Sequence, residues 1–271
     1  MKPRVHGLYY NPTFVTPKER EAVVSWLSTL RPIWEERFSD HNPPPEGESQ
    51  RWLLRPVYWL GSWQFACLNY YCPPSGIAHR CVKAEPFPEV LAQMVSKIEI
   101  MSRKIFMPSE VPEGWKLNVC LINFYGSKIE DGKRIDTARV GEHKDFEPGP
   151  VASLSLGERA LFQFVASQKA GDPAKVVSEQ WLDDGSLQVF GGNRWKKQFF
   201  HRVQRVDRKG GFQFPIQVEN FETRRVNFTF RYVPDAHVSR YRLLPADARS
   251  DVKRYMLQLA AGSKFFASEL K

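Results

Sequence analysis

From Leu117 to Val233 of this 271-residue chain, apolar residues recur at every second position in five short stretches: LNVCLINFY, VASLSLG, ALFQFVA, SLQVFGG and VNFTFRYV. Each is rich in β-branched or aromatic residues and is set off by Gly, Pro or Asp, the pattern of strands joined by turns. No helical stretch alternates with them. A parallel βαβ sheet is therefore excluded, and an antiparallel sandwich or jelly roll is predicted.

Helical signals lie on either side of this block. TPKE (Thr16 to Glu19) reads as a capping box with Pro17 in the first turn, and the stripe Val23, Val24, Trp26, Leu27, Leu30 ends before Pro32. Val90, Leu91, Met94, Val95 and Ile98 predict a second helix over about 87–101, and Val252, Tyr255, Met256 and Leu259 predict a third near the end. No run of about 18 apolar residues occurs and the first residues hold no apolar signal core, so neither secretion nor a membrane span is expected. The four cysteines (Cys67, Cys72, Cys81, Cys120) lack zinc-site or thioredoxin spacing and are expected to be free thiols in a reducing compartment.

The net charge of +9 points to acidic partners, and it is unevenly spread. Between Gly191 and Gly210 lie Arg194, Lys196, Lys197, Arg202, Arg205, Arg208 and Lys209 against the single acid Asp207, interleaved with Trp195, Phe199 and Phe200. Basic residues beside aromatics suit a phosphate backbone with unstacked bases. The same composition also describes a solvated basic loop.

Two short motifs carry possible chemistry. GEHKDFEPGP contains His143 and Asp145 as H-x-D, and FFHRVQ places His201 56 residues after that aspartate. Taken singly, these are ordinary turn and loop residues. Together on a jelly roll, two histidines and a carboxylate make a facial triad that holds iron(II) and leaves positions open for a co-substrate and oxygen. Such a site needs an anchor for an anion, and RRVNFTFRYV offers one. Alternation puts Arg225, Asn227, Thr229 and Arg231 on one face and Val226, Phe228, Phe230 and Tyr232 on the other. An ordinary half-buried strand turns its arginines to water, whereas a ligand-binding barrel turns them inward. Arg225 and Arg231 can each meet a carboxylate through paired charge-assisted bonds, and Asn123 and Tyr125 share a face of LINFY.

These segments resemble the AlkB family of iron(II)- and 2-oxoglutarate-dependent dioxygenases, over about Gly7 to Val233. LNVCLINFY resembles the family's N-x-Y strand, HKD its metal motif, PVASLSLGERALFQF the strand pair that follows, GGNRWKKQFFHRVQ the segment of the distal histidine, and RVNFTFR its R-x-N-x-T-x-R signature. LGSWQFACLNYY resembles the nucleotide-recognition segment.

The resemblance implies an α+β fold, one structural domain with a double-stranded β-helix (jelly-roll) core. Residues 1–116 would form N-terminal helices and a recognition lid, 117–233 the core, and 234–271 a C-terminal helical extension. It implies that His143, Asp145 and His201 ligate iron(II) and are the catalytic centre. Arg225, helped by Tyr125, would pair with the far carboxylate of 2-oxoglutarate, with Arg231 and Asn123 near its metal-chelated end and Asn227 and Thr229 supporting the arginines. Trp63 and Tyr70 would be the aromatic residues of the lid, and Glu147 would contact the flipped base.

The implied activity is oxidative dealkylation of 1-methyladenine- or 3-methylcytosine-type bases in DNA or RNA with oxygen as co-substrate, releasing formaldehyde, succinate and carbon dioxide. A monomer is expected, intracellular, cytoplasmic in a bacterium or nuclear in a eukaryote. An oxygenase acting on a protein or small molecule is the alternative, and a nucleic-acid binding module with an inactive core is a further one. Two connections, 127–142 and 206–222, are longer than the family's pattern and are expected as surface loops that bear on substrate choice.

Overall fold

The computed structural model describes residues 5–70, 80–136, 139–166, 175–204 and 211–271. In chain order the elements are β1 (Leu8–Asn11), α1 (Pro17–Leu27), β2 (Val57–Leu60), β3 (Ser62–Gln64), β4 (Cys81–Lys83), α2 (Glu89–Ile105), β5 (Val119–Glu130), β6 (Lys133–Asp136), β7 (Val140–His143), β8 (Val151–Gly157), β9 (Ala160–Ala166), β10 (Lys175–Leu182), β11 (Ser186–Phe190), β12 (Phe200–Gln204), β13 (Phe221–Arg231), β14 (Val238–Ser239), α3 (Ala246–Ala260) and α4 (Lys264–Glu269). The Thr16–Glu19 capping box forms as expected at the start of α1.

Among the described residues, a seven-stranded sheet runs β1-β11-β8-β13-β5-β2 with β6 added on β5, and a four-stranded sheet runs β10-β9-β12-β7. Phe162 and Phe164 of β9 pack against Phe190 of β11, with ring centroids 5.8 and 5.5 Å apart, so the two sheets meet face to face. This is the α+β jelly-roll fold that the period-two segments predict. A small sheet of β14, β4 and β3 lies outside it.

Burial divides into two clusters with different roles. In the larger, Val226, Phe228 and Phe230 of β13 join Leu91, Met94 and Ile98 of α2 and Tyr255 and Met256 of α3. In the smaller, Val151, Phe162, Phe164, Leu182, Phe190, Trp195 and Phe199 fill the space between the sheets. The central strand β13 is therefore covered on both faces, and its alternating pattern separates two kinds of interior.

The connections expected as loops have structure of their own. β5 continues to Glu130 and turns at Asp131 (φ 49°) and Gly132 (φ 72°) into β6, with Glu130 opposite Lys133. An Asp-Gly pair with both φ positive is the two-residue hairpin turn that fits strand twist. In the 206–222 connection, Phe214 and Ile216 are buried in the larger core, so this segment is more than a surface loop. Residues 206–210 of it, and Cys72, lie outside the described residues, while Cys67, Cys81 and Cys120 are buried free thiols.

Candidate active site

Adjacent strands bring the two histidines together. β7 pairs with β12 in a register that sets His143 opposite His201, and their ring centroids are 4.2 Å apart. Asp145 follows just beyond the end of β7. The donor atoms of His143, Asp145 and His201 all lie within 4.8 Å of one another, a grouping able to hold a metal ion. His143 Nδ1 donates to the carbonyl of Gly141 at 2.8 Å, which leaves Nε2 with its lone pair free for a metal. His201 is stacked on Phe162, 5.5 Å between centroids and 15° between planes, so its ring plane is set by packing.

The electrostatics suit a cation. Burial, with the neighbouring His201 ring, pushes the His143 imidazole down to about 3, so it is neutral at ordinary pH. Burial alone would push the Asp145 carboxyl up, but Arg231 and the two histidines outweigh it and hold the group well below the usual carboxylate range. Asp145 Oδ2 is buried without a hydrogen-bond partner, 3.3 Å from His201 Nε2. A cluster of two imidazoles and one ionised carboxylate fits iron(II).

β13 supplies the cations. Arg231 Nη2 and Nε donate to Asp145 Oδ1 at 2.7 and 2.8 Å, and Glu147 Oε2 lies 3.6 Å from Arg231 Nε. Arg225 lies at the other end of the same face, 3% exposed, donating from Nη2 to Ser155 Oγ at 3.0 Å. Its Nε and Nη1 are buried without a partner, and its guanidinium lies 4.6 Å from the centre of the Tyr125 ring. Asn227 Nδ2 donates to Ser153 Oγ at 2.8 Å, and Thr229 Oγ1 donates to Asn227 Oδ1 at 3.0 Å, so both hold the face between the arginines.

Arg224 and Arg225 are both buried although they are adjacent in the chain. A register shift between Thr223 and Arg225 lets this happen, since a bulge removes one residue from the alternation. Arg224 points away from the pocket to Glu158 (2.9 Å), Asp136 (3.1 Å) and Ser127 (2.7 Å). Gly126 lies opposite the bulge, where an added Cβ would fall 1.8 Å from the Glu222 carbonyl oxygen. Nothing in the periodicity of the sequence signals this second buried ion cluster.

The lid residues separate. Trp63 is 0% exposed, stacked on Phe65 at 5.5 Å, and donates from Nε1 to Glu35 Oε1 at 2.7 Å. Its side chain belongs to the larger buried cluster. Tyr70 is buried edge-on against Trp59. Glu147 is also interior, its carboxyl pushed up by burial despite Arg231. Within the basic segment, Lys196 is 8% exposed and donates to the carbonyls of Glu147 and of Gly149 (2.9 Å), so it braces the turn after Asp145. Arg194 and Lys197 are exposed, and Arg202 pairs with Glu142 at 2.7 Å, while Arg205, Arg208 and Lys209 lie outside the described residues.

One residue of the site escapes sequence reasoning altogether. Arg55, just before β2, is 7% exposed, donates from Nε to Asn123 Oδ1 at 2.5 Å, and lies 5.6 Å from the Tyr125 ring. In the sequence it is a lone arginine before a proline.

A family model described as "2OG-Fe(II) oxygenase superfamily" matches residues 7–231. Among solved structures, that of OsALKBH1 is similar at 19% identity and a TM-score of 0.51, covering 85% of this chain and 100% of that one. A full-length Neurospora crassa protein in complex with alpha-KG matches at 13% identity and a TM-score of 0.44, covering 84% of this chain and 76% of that one. YcfD, a ribosomal oxygenase from Escherichia coli in complex with cobalt and 2-oxoglutarate, matches at 12% and 0.34, covering 84% and 49%. No curated protein matches the sequence.

Proposed function

The chain belongs to the 2OG-Fe(II) oxygenase superfamily, and from that premise we propose that it removes N-alkyl groups from nucleobases in DNA or RNA, in the manner of the AlkB family. As a member of the superfamily it is an oxidoreductase whose cofactor is iron(II) and whose co-substrates are 2-oxoglutarate and oxygen. With these bound, the site supplies oxidation of a C–H bond to C–OH coupled to conversion of 2-oxoglutarate to succinate and carbon dioxide. A hydroxylated N-methyl group then loses formaldehyde and regenerates the unmodified base.

The residues divide this work. His143, Asp145 and His201 would hold the metal, with Arg231 keeping Asp145 ionised and oriented. Arg225 would receive the far carboxylate of 2-oxoglutarate on its two unpartnered nitrogens, and Asn123, Tyr125, Asn227 and Thr229 would shape the pocket around it. Tyr70 and Glu147, next to Arg231 on the metal side, are the remaining candidates for contact with the base.

The observation that carries the substrate assignment is the polar face of β13. Its Arg225, Asn227, Thr229 and Arg231 match the AlkB signature, and Arg231 at the end of the strand pairs with Asp145; on this reading the face would run from the anion end at Arg225 to the metal end. A net charge of +9 adds support, because a phosphate backbone binds by releasing counterions. Action inside the cell and as a monomer are part of the same proposal. Among the described residues, no helix is long and apolar enough to cross a membrane.

The test is mass spectrometry of oligonucleotides bearing 1-methyladenine or 3-methylcytosine after incubation with the protein, iron(II), ascorbate and 2-oxoglutarate. Loss of 14 mass units is expected, about the mass of one methylene, with binding that weakens as salt rises. Turnover of 2-oxoglutarate with no change in any DNA or RNA oligonucleotide would move the substrate to a protein or small molecule.

A further inference from the structure

The buried arginines of the barrel differ in how their charge is met. Arg231 is paired with Asp145, and Arg224 with Glu158 and Asp136. Among the described residues, no carboxylate lies within ion-pair distance of Arg225 or of Arg55. Their hydrogen-bond partners are neutral: Ser155 Oγ for Arg225 and Asn123 Oδ1 for Arg55. Glu35, an acid that feels the Arg55 charge, is bonded instead to Trp63 Nε1 and the Ala66 amide.

These two unmatched guanidiniums belong to one cluster. Both lie against the Tyr125 ring, at 4.6 Å for Arg225 and 5.6 Å for Arg55. Strand register sets Arg225 opposite Tyr125 and Asn227 opposite Asn123. Arg225 is 3% and Arg55 7% exposed, so water satisfies little of either. Two like charges that share a buried site repel each other and call for an anion between them. Because Arg55 Nε can only donate, the acceptor on Asn123 is its Oδ1, and the amide Nδ2 is left as a further donor for the pocket.

We propose that Arg55 is a second cation of the co-substrate pocket, sharing the far carboxylate of 2-oxoglutarate with Arg225 and making the site selective for a dicarboxylic 2-oxo acid. The inference rests on the assignment of Arg225 as the anchor. A carboxylate has two oxygens with about four lone-pair directions, enough to receive donors from two guanidiniums. Arg55 comes from the segment leading into β2, so the anion end of the pocket is completed by the N-terminal region.

A purely supporting role for Arg55, holding Asn123 in place, makes a different prediction, and Arg55→Gln separates the two. Glutamine keeps a donor for Asn123 Oδ1 and removes the charge. The measurement is anaerobic calorimetric titration of the full chain, with manganese(II) in place of iron, against 2-oxoglutarate and against 2-oxopentanoate, which carries a methyl group where 2-oxoglutarate has the far carboxylate. Loss of one charge-assisted contact should weaken 2-oxoglutarate binding about ten- to a hundredfold. Binding of 2-oxopentanoate should be unchanged, and Arg55→Lys should recover part of the 2-oxoglutarate affinity.

Equal weakening of both acids, or wild-type affinity for both, overturns the inference. Thermal melts accompany each titration, and if Arg55→Gln does not fold, Arg55→Lys decides by the same comparison: weaker 2-oxoglutarate with unchanged 2-oxopentanoate supports the shared carboxylate, and any other result overturns it. Arg225→Ala serves as the control for the underlying assignment. If it binds 2-oxoglutarate like wild type, the anchor itself is wrong. If it alone loses affinity and Arg55→Gln does not, only the role of Arg55 fails.

Discussion

Arg225 and Val226 are consecutive residues with opposite surroundings, and both are buried. Arg225 enters the polar pocket with two nitrogens unpartnered, while Val226 is 0% exposed in the apolar cluster under the helices. On the proposed assignment, removing Arg225 would leave a carboxylate of the co-substrate without its main partner, a loss of about 3–5 kcal/mol, or roughly two to three and a half decades in affinity. Arg225→Ala should therefore bind 2-oxoglutarate far more weakly and keep a normal melting curve, as read by titration with a thermal melt alongside. Val226→Asp should do the reverse and lose about 4 kcal/mol of stability in denaturant unfolding, since a charge without a partner is placed in the core. A soluble, fully folded Val226→Asp would mean that the apolar face of β13 is not packed as described.

Elements act on the site through their junctions. The β7–β12 register aligns the two histidines, and the bulge at Thr223–Arg225 allows one strand to supply an internal ion cluster on one side and the buried Arg225 on the other. A third junction titrates. Glu35, in the segment after α1, accepts from Trp63 Nε1 of β3 and from the Ala66 amide, and burial pushes its carboxyl up to about 7. The folded protein thus holds this proton more tightly than the unfolded chain, whose value is near 4.5. The stabilisation from Glu35 is complete below about 4.5 and is lost as pH rises towards 7. Glu35→Gln, permanently neutral, should remove that slope, a differential of about 3 kcal/mol between the two ends of the window. Unfolding free energies of wild type and variant at pH 5 and pH 8 check it; parallel pH profiles would place the Glu35 carboxyl near its ordinary value.

The helices that flank the barrel are part of a single interior with it. Val252, Tyr255, Met256 and Leu259 of α3 and Phe266 of α4 are at most 1% exposed and belong to the same cluster as Val226, Phe228 and Phe230. Tyr255 also stacks on Phe65 at 5.7 Å, and its hydroxyl accepts from the Glu36 amide at 2.8 Å. A chain ending at Val233 would expose all of that surface, with each large side chain contributing about 1.5–3 kcal/mol of burial. Such a truncated chain should give no cooperative thermal transition, whereas an independent barrel would melt like the full protein.

Much of this molecule is legible along the chain. Period-two segments identified β5, β8, β9, β11 and β13, the capping box and apolar stripes identified α1, α2 and α3, and H-x-D with a later histidine identified residues whose donor atoms converge within 4.8 Å. Those features are local, or depend on order alone, and a linear pattern records both. Which face of β13 turns inward is not local. Alternation distinguishes two faces without saying what covers them, and here a barrel interior covers one and helices from distant parts of the chain cover the other. The same limit applies to Trp63, Lys196 and Arg55. An aromatic residue, a lysine in a basic run and an arginine before a proline look alike in sequence whether they meet a ligand, a carbonyl or water, and only the packing of separate segments assigned Trp63 to the core, Lys196 to the turn after Asp145 and Arg55 to the Tyr125 ring.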